Sequence, residues 1–326
     1  MRKSMKTKPG PAIFQQLDLS RVNTFSIKHR KSKVHTSEFA HVTHAGESFR
    51  RFVNSLPRIL VANDLRTVVD DIVRARAKKK PVIMMIGAHV IKVGLAPLIV
   101  DLLRQGVVSC VSMNSAAAIH DVETAMWGKT SEDVEENITD GYFGMARETG
   151  EFINTALIRA QWEGLAGYGE TLGKALQNAP RKAMSILATC YRLRIPSTVH
   201  AAIGTDIIHQ QPSMDGSATG ELSFRDFKVL CNVVSGLRGG GVVLNIGSAV
   251  IMPEVFLKAL TVTRNLGNRT VGFTTANFDM VQHYRPRMNV VHRPTRGGGK
   301  GFLFTGHHEI MIPLLCAMIN ERLADR

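Results

Sequence analysis

Four short segments of this chain hold the residue types that grip a nucleotide. They are Gly87-Ala88-His89, Asn114-Ser115-Ala116-Ala117-Ala118, Asn245-Ile246-Gly247-Ser248 and Thr274-Thr275-Ala276-Asn277-Phe278-Asp279. Small residues let a ligand reach the backbone, and Ser, Thr and Asn side chains add hydrogen bonds to phosphate or ribose. Tight β–α turns use the same residues, so one segment alone favours a turn, and four together favour a nucleotide-type ligand. The dinucleotide glycine fingerprint is absent, because neither Gly239-Gly240-Gly241 nor Gly297-Gly298-Gly299 lies between a strand and a helix in the required order. The second triplet, flanked by Arg296 and Lys300, reads equally as a basic loop closing over an anionic ligand or as a plain surface loop.

Other chemistries find less support. His35, His41 and His44 have no acidic or cysteine partner at ligand spacing, and His307-His308-Glu309 points its histidines to different faces, so no metal is expected. There is no GxSxG. Cys110, Cys190, Cys231 and Cys316 are scattered without paired spacing, which reads as reduced, buried thiols of a cytoplasmic protein.

The four segments need a scaffold, and the surrounding pattern supplies one. Apolar runs at 81–87, 107–113, 195–203, 242–245, 270–275 and 301–304 read as strands. Helical spacing fills 60–79, 90–105, 131–138, 144–160, 170–178, 182–194, 223–237 and 310–323, with one more helix opening at Pro253-Glu254. Continuous apolar strands alternating with helices predict an α/β fold: a doubly wound, mostly parallel sheet with helices on both faces. Ligands of such sheets bind outside the carboxyl ends of the strands.

The chain has 326 residues, 44% of them hydrophobic and 21% charged, which suits a globular protein with a sizeable core. No apolar run reaches membrane-spanning length. Of the net charge of +14, residues 1–34 supply nine Lys and Arg against one acid, Asp18. Residues 1–45 are expected to form a basic, partly disordered arm and 46–326 a single domain. No aromatic residues interleave with the basic runs, so nucleic acid is not an expected partner.

In their order along the chain these segments resemble the deoxyhypusine synthase family, through most of residues 60–323. Gly87 to Gln105 is similar to the family's segment that touches the cofactor after the first strand. Val111 to Asp121 stands where the family has Thr-Thr-Ala-Gly-Gly-Val-Glu-Glu-Asp, with Ser115, Ala116 and Asp121 fitting and His120 replacing a glutamate. Ile195-Pro196 through Gly204-Thr205-Asp206, Val243 to Gly247, Phe273 to Asp279 and Ile312 to Leu315 match further family segments.

The resemblance implies a Rossmann-related homotetramer that uses NAD to move an aminobutyl group from a polyamine such as spermidine to an amine acceptor, which in the family is a protein lysine. It implies NAD contacts from Asn114, Ser115, Ala116, Asp121, Gly247, Ser248, Thr275 and Asp279, with Asp206 binding the polyamine. The family's Trp-Gly-Lys is missing between the fifth and sixth strands, where Lys300 is the one lysine and becomes the expected imine-forming nucleophile. Trp127-Gly128-Lys129 lies elsewhere and reads as coincidence. Three alternatives stay open: a non-catalytic NAD-binding protein, an NAD-dependent amine dehydrogenase without transfer, and a basic nucleic-acid or ribosome binder.

Overall fold

A computed structural model describes residues 13–164 and 166–325. Its centre is a six-stranded sheet in the order β3-β2-β1-β4-β5-β6, with every neighbouring pair parallel. The strands are β1 (Val82–Ile86), β2 (Cys110–Asn114), β3 (Ser197–His200), β4 (Val242–Ile246), β5 (Thr274–Asp279) and β6 (Lys300–Thr305). The chain winds outward from β1 to β3, then returns to β4 on the other side of β1. That is the Rossmann order, and its switch point lies between β1 and β4.

Each strand is sandwiched. In β1, Val82, Met84 and Ile86 enter one core, while Ile83 and Met85 enter the other. Every residue of β1 and β4 is buried, which is why these runs read as continuous rather than alternating apolar sequence. Full burial of such side chains stabilises by roughly 1.5–3 kcal/mol each. The first core holds α2 (Leu60–Ala77), α4 (Ala96–Arg104), α9 (Ile186–Leu193) and α14 (His308–Ala324). The second holds α10 (Gly216–Ser235) and α11 (Ile251–Asn265). In α2 the residues Leu65, Val68, Val69, Ile72 and Val73 form the buried stripe.

Three local departures from the sequence expectation matter for the site. The helix expected over 90–105 is two pieces, α3 (Ala88–Lys92) and α4, parted at Gly94 with φ +82°. The fifth strand begins at Thr274 rather than residue 270, because Gly272 turns the chain with φ +70° just before it. The third is α5 (Ser115–Trp127), which fills a stretch where helical spacing was not read from the sequence. Asn114 ends β2 and also caps α5, its side chain accepting from the Ala117 N–H at 3.0 Å, and Gly128 closes the helix with φ +72°.

The β2–β3 crossover continues with α6 (Val134–Ile138), α7 (Arg147–Glu163) and α8 (Tyr168–Ala175). Between β5 and β6 lie α12 (Tyr284–Pro286), a π-helical turn at Arg287–His292 and α13 (Arg293–Thr295). Ahead of α2 stands α1 (Phe49–Ser55). Part of the expected arm, residues 1–12, lies outside the described residues. Its remainder runs along the surface without a buried residue, and the backbone bonds His41 N–H to Ser55 O and Arg58 N–H to Glu38 O join it to the region around α1. Among the described residues no helix is long and apolar enough to cross a membrane.

Candidate functional site

A cleft of about 810 Å³ opens over the carboxyl ends of β2 and β3. Its apolar walls include Ile119, Trp127, Val134, Phe143 and Ile207. Its polar groups include Lys92, His120, Glu123, Lys129 and Asp206. The start of α5 forms one side, and the segment that follows β3 forms the other.

Asp206 is set by that second segment. It precedes a 3-10 turn at Ile207–Gln210, and its side chain accepts a short hydrogen bond from Ser115 Oγ at the first residue of α5. A carboxylate there suits the positive end of the helix dipole. The Gly204 and Asp206 backbone N–H groups both donate to His209 Nδ1 at 3.2 Å. The His209 proton therefore sits on Nε2, which is buried and has no partner among the described residues. Burial lowers the His209 pKa, with the Asp206 charge opposing.

A second polar chain runs along α5. His120 and Glu123 are three residues apart and so share one helix face. Thr130 Oγ1 donates to Glu123 Oε2 at 2.5 Å and lies 2.5 Å from His120 Nδ1. A hydroxyl has one hydrogen, so with that hydrogen on the carboxylate, Thr130 must accept from His120 Nδ1–H. The Nε2 lone pair of His120 is then left as a free base. Thr149 Oγ1 donates to Glu123 Oε1 at 3.0 Å and completes the carboxylate's shell. Burial lowers the His120 pKa first of all, Lys92 lowers it further, and Glu123 and Asp206 oppose.

The residues expected from sequence fall into distinct places. Ala116 and Asp206 line the cleft, Ser115 holds Asp206, and Asn114 caps α5. Asp121 does not face a ligand. It lies on the buried face of α5 and accepts from Ser185 Oγ at 2.6 Å, Ile186 N–H at 2.9 Å and Leu187 N–H at 3.0 Å, capping α9. Burial raises its pKa against those three donors. Thr275 is the second residue of β5, fully buried and far from the strand's carboxyl end, a displacement that follows from the later start of that strand. Asp279 does end β5, and its Oδ1 accepts from the Met280 N–H at 2.8 Å.

Gly247 and Ser248 lie at the switch point, which is closely packed. A Cβ on Gly87 would stand 2.0 Å from the Gly247 carbonyl oxygen, and one on Gly247 would stand 2.8 Å from the His308 ring. Ser248 Oγ accepts from the Met252 N–H at 3.2 Å in the first turn of α11.

Lys300 and Asp206 are not brought together. Lys300 opens β6 at the amino edge of the sheet, where its Nζ lies 3.0 Å from Asp71 Oδ2. Asp206 belongs to the carboxyl edge. Lys129 and Trp127, taken as coincidental in the sequence, line the cleft with Asp206. Sequence reasoning also missed the His120–Thr130–Glu123 chain. Its signal was the i, i+3 spacing of His120 and Glu123, which carries meaning only once residues 115–127 are a helix. The cysteines stay inert, with burial pushing the Cys110 and Cys316 thiols up to about 12.

No family model matches the chain, and no curated protein sequence matches it. Solved structures do. The ternary complex of AgrE with ornithine and NAD+ is 16% identical with a TM-score of 0.53, over 86% of this chain and 34% of that one. A conserved protein of Methanococcus maripaludis S2 classed as LOR/SDH is 16% identical with a TM-score of 0.51, over 80% of this chain and 70% of that one. An Entamoeba histolytica protein designated a deoxyhypusine synthase is 11% identical over 84% and 93% of the two chains, and its TM-score of 0.49 is too low to bear on function. This chain thus spans about a third of the AgrE chain, and the likeness is one of fold.

Proposed function

We propose that the cleft over β2 and β3 is the active site of an NAD-dependent enzyme acting on an amine. One observation carries this reading: His120, Lys129 and Asp206 line the same cleft. A carboxylate pairs with a substrate ammonium in charge-assisted fashion. A neutral imidazole with a free Nε2 takes the proton that the amine must lose. An ornithine and NAD+ complex among the structures of similar fold is consistent with this chemistry.

The residues present suit NAD by the chemistry of their donors. Lys92 offers charge for phosphates, and Ile119, Ile207 and Trp127 offer flat apolar walls. When bound, NAD supplies a two-electron acceptor. The chain's own part is to pair the ammonium at Asp206, receive a proton at His120 Nε2, and hold the aminoalkyl group as an imine on Lys129 Nζ while the rest of the donor leaves as a shorter amine. An acceptor amine then displaces Lys129, and with NAD bound the two electrons taken from the donor would return to the new imine. Lys129 replaces Lys300 in this role. We further propose that residues 46–326 form the working unit, a homotetramer with a polyamine donor and a protein lysine as acceptor.

Calorimetric titration with NAD and its 2′-phosphorylated relative tests the cofactor. Incubation with NAD and a panel of amines, borohydride trapping and mass mapping then tests the lysine. The expected result is a modified Lys129, lost in Lys129→Arg with NAD binding retained, and unaffected by Lys300→Arg or by deletion of residues 1–34. Failure of both dinucleotides to bind at millimolar concentration sinks the proposal.

A further inference from the structure

The amino edge of the sheet carries a second concavity, of about 200 Å³, far from the cleft. Three cations line it: Arg74 and Lys78 from the end of α2, and Lys300 from the start of β6. Against them stands one carboxylate, Asp71, only 6% exposed. Its Oδ1 accepts from Arg74 Nη1 at 2.6 Å and its Oδ2 from Thr274 Oγ1 at 2.7 Å, while Lys300 Nζ lies 3.0 Å and 3.2 Å from the two oxygens. Asp71 is thus saturated from below. It fixes two cations whose side chains remain half exposed, at 50% and 51%, and the lining keeps an excess of positive charge.

Apart from Phe273 and Thr274, the rest of the lining is glycine backbone. Gly239 and Gly240 come from the turn before β4, Gly272 from the turn before β5, and Gly298 from the turn before β6. Gly239, Gly240 and Gly298 have φ of +71°, +126° and +95°, and a Cβ added at any of the three would meet nothing within 4 Å. Turns without side chains leave the main chain open to a ligand, as in phosphate-binding loops. The turns entering β1, β4, β5 and β6 also carry Lys79, Lys80, Arg238, Arg269 and Arg296, and no acid.

We propose that this concavity is a binding site for a phosphate group, borne by a small phosphorylated molecule. Its volume falls below the roughly 300 Å³ at which sites for drug-sized ligands begin, which suits one phosphate and a short stem. The cations give charge-assisted hydrogen bonds, and the Asp71 pairs hold two of them in place before the ligand arrives. A nucleic acid fits less well, because the single aromatic residue of the lining, Phe273, is buried and offers no face for a base.

Titration of the full chain with inorganic phosphate, against sodium chloride added to equal ionic strength, is the test. Lys78→Glu and Lys78→Arg are the informative variants, since Lys78 takes no part in the Asp71 pairs and its loss leaves them intact. One phosphate per chain is expected, with affinity at least about tenfold weaker in Lys78→Glu and retained in Lys78→Arg, at unchanged thermal stability without phosphate. Phosphate binding no stronger than chloride overturns the proposal. So does equal affinity in Lys78→Glu, or binding of an RNA oligonucleotide by a protein that ignores phosphate.

Discussion

Ser115 and Asp206 lie 91 residues apart in the chain, yet the Ser115 hydroxyl donates to the Asp206 carboxylate. The bond ties the first residue after β2 to the segment after β3 and sets the charge of the cleft at the mouth of α5. Asp206→Asn keeps the acceptor and removes the charge. With an amine substrate it is expected to raise KM by about tenfold to a hundredfold, since a hydrogen bond to a charged group contributes about 1.5–3 kcal/mol. Ser115→Ala is expected to do less, and steady-state kinetics on the same amine compares the two.

His120 offers a sharper test because its neighbours act with opposite sign. Glu123 favours the imidazolium and Lys92 disfavours it. Glu123→Gln therefore lowers the His120 pKa further and moves the acid limb of the rate profile to lower pH, while Lys92→Met moves it to higher pH. His120→Gln is expected to reduce kcat by about 10²–10⁴, the usual contribution of a positioned base. Acid limbs that stay fixed in both charge variants would remove His120 from the mechanism.

Asp121 is expected to matter for stability and not for binding. Asp121→Ala strands the Ile186 and Leu187 N–H groups and the Ser185 hydroxyl in a buried place, at about 1–3 kcal/mol for each donor left unpaired. Asp121→Asn retains an acceptor and should lose less. Urea unfolding ranks the two, and dinucleotide affinity measured on the folded Asn variant should match that of the unaltered chain.

His200 makes the fold sensitive to acid. It ends β3, bonds to Thr198 Oγ1 at 3.0 Å, and burial pushes its pKa down to about 3 from an ordinary 6.5. Below pH 6.5 the unfolded chain takes a proton that the folded chain refuses, so stability falls with pH until about 3. Between pH 7 and pH 5 this amounts to about 2 kcal/mol. Asp226, held up to about 8 by burial, titrates in the opposite sense. It cancels when His200→Asn is compared with the unaltered chain at both pH values. An equal loss in both chains would show that His200 titrates normally.

Much of the fold was legible from the residues. The runs Val82–Ile86 and Val242–Ile246 are apolar throughout because both faces are covered, and the parallel, doubly wound sheet follows from that. The shift in β5 was not legible, since Thr270-Val271-Gly272-Phe273 is good strand sequence until Gly272 takes a positive φ. The site was half legible. Ser115 and Ala116 lie just past β2, where strand-end reasoning looked, and Asp206, reached only through the family resemblance, lies on the segment after β3. Asp121 and Lys300 looked chemical in one dimension, and only the third shows that each carboxylate and ammonium already has structural partners. Asp121 meets α9 through residues more than sixty positions away, and Lys300 meets Asp71 across 229 positions. No local pattern encodes such pairings.

The strand order has a consequence for how the molecule comes to exist. Ile83 pairs with Cys110 and Val242 with Thr274, near neighbours in the chain, while Val111 meets Ser197 across the α5–α9 crossover. The seam joins Val82 to Val242 across everything from β1 through α10, the longest separation of any strand pair. Closing so long a loop costs more entropy than closing the short ones, so the seam should form late in folding. On a ribosome, a nascent chain that has emerged only as far as β3 has its first three strands but no switch point at all. The crevice closed by Gly87 and Gly247 is therefore absent from any early folding species. A burst of native-like β1–β4 contact before β2 and β3 are protected from hydrogen exchange would contradict this order of events.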